Sequence, residues 1–127
     1  MQDKHLFEYA VIRLVPSVER EEFLNVGVIL YCQDENFLRI SFDLNEERLS
    51  AFACDLAVDE IKEHLLAFEK ISGGGEDSGA IGRLPIGARF RWLTAPRSTI
   101  VQTSAVHTGL CLDVNETLGQ LLTKMVC

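Results

Sequence analysis

Between Ser78 and Leu112 the chain carries no aspartate or glutamate, although its 127 residues hold 19 acids. Other absences narrow the field. No apolar run approaches the roughly 20 residues that cross a bilayer as a helix, so no membrane span is expected. The N-terminal MQDKHLFEYAVIRLVP has acids among its first residues and no small-residue cleavage site, which argues against a signal peptide. Cys32, Cys54, Cys111 and Cys127 contain no C-x-x-C pair, which excludes the usual zinc or dithiol patterns. They read as buried or idle thiols in a reducing cytoplasm. His5, His64 and His107 form no H-x-x-x-H or H-E pair, so no metal is expected, and nothing in the chain asks for a cofactor.

What is there is charge of two kinds in two places. Residues 1–77 hold 17 acids against 7 Lys and Arg, whereas residues 78–112 hold only Arg83, Arg89, Arg91 and Arg97. The net charge of −7 disfavours non-specific nucleic-acid binding by the whole surface. The acid-free stretch can serve an anion, or it can pack against the acidic half of the same chain.

Length sets a single domain over 1–127. HLFEYAVIRLV (5–15) reads as a strand stopped by Pro16, and VGVILYC (26–32) as a central strand. QDEN (33–36) reads as a hairpin connection, and FLRISFDL (37–44) alternates, with Leu38, Ile40, Phe42 and Leu44 on its apolar face. Asn45 can cap a short helix bearing Glu46 and Glu47 in its first turn, with Leu49, Phe52 and Ala53 as its apolar positions. Val58, Ile61, Leu65 and Phe68 make the stripe of a second helix, ending near Gly73. A flexible glycine-rich loop follows at about 72–87, and it fails the P-loop pattern because no Lys-Ser or Lys-Thr follows it. FRWL and residues 98–112 read as further strands. Asp113 and Glu116 form a capping box for a last helix carrying Leu118, Leu121, Leu122, Met125 and Val126. The expected fold is α+β: an antiparallel sheet, made of an N-terminal three-stranded meander plus one or two C-terminal strands, with about three helices packed on it.

Candidate functional residues come from two stretches. In the first, Arg13 interrupts an apolar run and needs a carboxylate or an anion, with Glu22 across the connection as one candidate. Asn25 and Gly27 suggest a bulge or tight turn at the entrance of the next strand. Glu19, Glu21 and Glu22 around Arg20 are most simply a solvated turn. In the second, RFRWLTAPRST (89–99), Arg89 and Arg91 share a strand face, with Trp92 on the other. Pro96 then presents Arg97, Ser98 and Thr99, a set suited to phosphate or carboxylate. His107 with Ser98 or Ser104, oriented by Glu22, is the weak case for nucleophilic catalysis, because no nucleophile elbow accompanies it.

The blocks YAVIRLVPSVEREEFLNVGVILY and FRWLTAPRSTIVQTSAVHTGLC resemble those of the bacterial family known as domain of unknown function 3037. The residues carrying the resemblance are Tyr9, Arg13, Pro16, Arg20, Glu22, Asn25 and Gly27 in the first block. In the second they are Trp92, Pro96, Arg97, Ser98, His107 and Gly109. The resemblance implies a small cytoplasmic bacterial protein without established activity. It also implies a role beside a kinase-like protein of the HipA type, and it supplies no catalytic residues. Two functions follow as expectations. One is a binding or accessory module for a protein partner or a phosphate-bearing ligand, working through Arg13, Asn25, Arg89, Arg91, Arg97, Ser98 and Thr99. The other is an enzyme on a phosphorylated or nucleic-acid substrate, with Arg13, Glu22, Arg97 and His107 at its site.

Overall fold

The first three strands form the expected meander: β1 (His5–Leu14), β2 (Leu24–Cys32) and β3 (Phe37–Phe42). The computed structural model describes residues 4–16, 19, 21–52 and 57–127, so Arg20, Ala53 and Cys54 lie outside the described residues. The β2–β3 connection is the tight turn over Gln33–Asn36, where Asn36 takes a positive φ of 49° and donates its N–H to the Gln33 carbonyl. Asparagine tolerates that left-handed region better than most residues. The β1–β2 register shifts between Ile12, opposite Gly27, and Arg13, opposite Asn25, which leaves Val26 bulged. Gly27 is required there, because a Cβ would lie 2.8 Å from the Ser41 carbonyl oxygen and 2.9 Å from Phe42 Cβ.

Residues 98–112 supply two short strands, β4 (Val101–Thr103) and β5 (His107–Cys111), both antiparallel to β1 on the side away from β2. β4 pairs with Ile12–Leu14 and β5 with His5–Tyr9. Between them the buried Ser104 keeps the ladder closed. Its N–H donates to the Val11 carbonyl at 2.8 Å, and its Oγ accepts the Val11 N–H at 2.9 Å. The strand order is β3-β2-β1, with β4 and β5 in succession at the far edge.

Helices cover both faces. α1 (Glu46–Phe52), α2 (Val58–Gly73) and α4 (Ile86–Leu93) pack on one side, where Leu49, Ile61, Leu65, Phe68, Phe90 and Leu93 meet Ala10, Ile12, Leu14 and Ile29. α5 (Val114–Met125) packs on the other, where Val114 and Leu118 meet Phe7, Val28, Leu30 and Cys32. Cover on both faces is why β2 reads as an unbroken apolar run. Burial pushes the Cys32 thiol up from its ordinary value, as expected for an inert core cysteine. Among the described residues no helix is long and apolar enough to cross a membrane.

The structure departs from the sequence reading in the middle of the chain. Among the described residues there are five α-helices, against the expected three or so. Residues 72–87 contain a 3-10 turn (Glu76–Ser78) and the single-turn helix α3 (Gly79–Gly82). The end of α2 falls one residue later than expected: Gly74, at φ 71°, is the C-cap, and its N–H bonds the Lys70 and Ile71 carbonyls. FRWL is helix, not strand. Pro85 opens α4, no β-branched residue occurs between Gly87 and Leu93, and Ile86, Phe90 and Leu93 recur at helical spacing.

Candidate binding surfaces

The helical state of 86–93 redistributes the arginines on which an anion site depends. Residues two apart share a face on a strand but lie roughly 200° apart around a helix. Arg89 accordingly points to the end of α2, where Nη1 donates to the carbonyls of Ile71 (3.1 Å) and Ser72 (2.8 Å), while Nε donates to that of Leu84 (3.1 Å). A cation on the last carbonyls of a helix is favoured by both hydrogen bonding and the helix dipole. Gly74 permits the approach, since a Cβ there would run into the Arg89 guanidinium. Arg91 instead reaches Glu8 on β1, with Nη2 2.9 and 2.8 Å from the two carboxylate oxygens.

Arg97 donates to the Trp92 carbonyl at 2.5 Å and lies over the rings of Trp92 and Phe68, at 4.8 and 5.1 Å from their centroids. Partial burial lowers its guanidinium from the ordinary value. Arg83 donates to the Glu76 carbonyl. Each arginine of the acid-free stretch thus already has an acceptor within the chain. Ser98 and Thr99 are exposed, and the Thr99 hydroxyl donates to the Val101 carbonyl.

The residues of the first stretch gather on the opposite face of the sheet. Arg13 lies opposite Asn25 on one side and Gln102 on the other, and its guanidinium stacks 3.9 Å from the centroid of Phe23. Asn25 donates from Nδ2 to the Met125 carbonyl, and Arg48 of α1 donates to that of Val126 at 2.6 Å, so the two side chains close the end of α5. Arg13 Nε and Asn25 Oδ1 are buried without a hydrogen-bond partner, one a donor and the other an acceptor. Farther along the same face the exposed His107 lies opposite Tyr9, with ring centroids 5.4 Å apart. Glu22 is exposed.

Arg13, Asn25 and His107 therefore share the face that α5 covers, while Arg97 packs on Phe68 in the layer of α2 and α4. Of the residues grouped for an enzymatic site, Arg97 thus lies across the sheet from Arg13 and His107. Ser104 is also committed elsewhere, because its hydroxyl donates to the Ala105 carbonyl while accepting from Val11. Among the described residues no group of three His, Cys, Asp or Glu is placed to hold a metal ion.

A groove of about 760 Å³ that no sequence motif marks lies beside β3. Its lining includes Asn36, Phe37, Leu38, Arg39 and Ile40 on one wall, Glu69, Ser72 and Gly73 of α2 on the other, and Ile86 and Arg89 of α4. Phe37–Ile40 are four consecutive residues of an alternating strand, and they line one groove only if it runs along the strand edge, where both faces meet. That edge has no neighbouring strand among the described residues. Asp43 N–H donates to the Val26 carbonyl at 2.8 Å, next to the Gly27–Phe42 pair. By antiparallel alternation Phe37, Arg39 and Ser41 direct their backbone groups to β2, and Leu38, Ile40 and Phe42 direct theirs outward. The only signal in the sequence was the terminal place of FLRISF in the meander.

Comparison with known protein families matches residues 9–126 to a family described as a protein of unknown function, DUF3037. The chain belongs to the DUF3037 family. No curated protein and no solved structure matches it. The fold thus gives roles to several residues of the two DUF3037-like blocks. Gly27 and Gly109 allow close approaches, the second against the Phe7 ring, and Asn25 holds the end of α5.

Proposed function

We propose that this DUF3037 protein is a non-catalytic binding module that takes an extended segment of a partner protein as an added strand along β3. The observation that supports this reading is the groove lined by four consecutive β3 residues, Phe37–Ile40, with Asn36 of the preceding turn, and walled by α2 and α4. An added strand gains affinity from main-chain hydrogen bonds to the outward groups of Leu38, Ile40 and Phe42, and selectivity from side chains meeting the walls. Arg39, Glu69 and the apolar Ile86 give those walls both charge signs and a hydrophobic contact. The kinase-like protein of the HipA type suggested by the family resemblance is the partner to try first. A phosphate-bearing ligand is the weaker reading, because Arg83, Arg89, Arg91 and Arg97 already donate to acceptors within the chain.

The experiment uses a pair of helical glycines. A Cβ at Gly73, in the groove wall, meets nothing within 4 Å, and the same holds for Gly119 on α5. Gly73→Phe therefore adds a ring at the groove wall with open space for its Cβ, and Gly119→Phe is its matched control. Displayed random peptides selected on the wild type should bind Gly119→Phe and lose Gly73→Phe. They should also slow hydrogen exchange at the N–H groups of Leu38, Ile40 and Phe42. Selected peptides that ignore Gly73→Phe, or a selection yielding none, would rule the reading out.

A further inference from the structure

The far edge of the sheet differs in character from β3. β5 (His107–Cys111) pairs with β1 on one side and with no other strand among the described residues. Natural proteins protect such an edge with lysine, proline, a bulge or an inward charge, because its free N–H and C=O groups template further pairing. HTGLCL (107–112) has none of these devices. It lies in the part of the chain without aspartate or glutamate. Leu110 is 64% exposed, its cross-strand neighbour Leu6 58%, and Leu112 53%. Leu6 and Leu110 sit on the face that α2 and α4 cover elsewhere, so three leucines form an apolar strip beside an open edge.

We propose that this edge is a self-association surface, where β5 of a second copy pairs antiparallel about a two-fold axis at Leu110. The two-fold sets Leu110 against Leu110, Thr108 against Leu112 and Gly109 against Cys111. With Leu6 beside each Leu110, one row of four leucines then crosses the joined sheet, and cross-strand apolar pairs of this kind stabilise sheets. Electrostatics favours the same edge over the rest of the surface. Two chains of net charge −7 repel over most of their surface, and the acid-free edge is where their approach is least opposed. The same register brings His107 opposite Asp113 of the second copy, at the start of α5. An isologous contact of this sort closes after two copies and leaves the β3 groove open on each.

The test is sedimentation of the wild-type chain, Leu110→Asp, and Leu84→Asp as a control at an exposed leucine outside the β5 strip. The wild type and Leu84→Asp should sediment as dimers at micromolar concentration, and Leu110→Asp as a monomer with an unchanged far-ultraviolet spectrum. A Leu110→Cys chain, mildly oxidised and mapped by mass spectrometry, should yield a disulfide joining residue 110 of two copies. That second measurement still decides the matter if Leu110→Asp folds poorly. A wild type that is monomeric throughout, or dimers in which Leu110→Cys fails to cross-link, would overturn the proposal.

Discussion

Arg89 donates from Nη1 to the Ser72 carbonyl at 2.8 Å, so a cation that suited a ligand in the sequence closes the end of a helix in the fold. Arg89→Met removes the donor from the carbonyls of Ile71, Ser72 and Leu84 together. Hydrogen bonds to a charged group contribute about 1.5–3 kcal/mol each in net terms, and these three share one side chain. The variant should lose about 2–3 kcal/mol, read as a lower urea midpoint at unchanged slope.

Arg91, two residues on, should behave differently. Its partner Glu8 is mostly covered, but the arginine side chain is 58% exposed. Exposed pairs contribute about 0–1 kcal/mol, so Arg91→Met should melt within a few degrees of the wild type. A large loss at Arg91 with none at Arg89 would contradict the helical assignment of 86–93.

Ser104→Ala tests the break between β4 and β5. It leaves the buried Val11 N–H without the acceptor it has at 2.9 Å. An orphaned buried donor costs about 1–3 kcal/mol. The matching signature is faster hydrogen exchange at Val11, with Leu30 on the far side of the sheet unaffected.

Two glycines should respond with opposite signs to alanine. At Gly27 the new methyl meets the Ser41 carbonyl and Phe42 backbone of an adjacent strand, which cannot move without opening the ladder. Gly27→Ala should cost about 1–3 kcal/mol. Gly119 is a mid-helix residue with open space around it, so Gly119→Ala should gain about 0.5–1 kcal/mol through helix propensity. Thermal melts of the two variants supply the check.

The sequence by itself determined the elements whose signal is local and periodic. The alternation in 37–42, the continuous apolar run of β2 and the stripe at Ile61, Leu65 and Phe68 each report the face they bury. The Asp113 cap reports its helix in the same way, with Oδ1 2.9 Å from Asn115 N and 3.2 Å from Glu116 N. The bulge beside Gly27 was legible because a missing side chain marks a close approach. The state of 86–93 was not, since Arg-Phe-Arg-Trp alternates in polarity as a strand does. The helix is selected only when Phe90 and Leu93 find the core and Arg89 finds the end of α2. The binding surfaces were less legible still. Whether an arginine is free for a ligand depends on acceptors distant in sequence, as Arg91 and Glu8 show at a separation of 83 residues. Which strand edges stay open depends on the order in which strands pair, and β4 and β5 close one side of β1 while β3 remains the outer strand. Periodicity records which side of a strand is buried, but an edge lies in the plane of the sheet, so only the tertiary structure decides it.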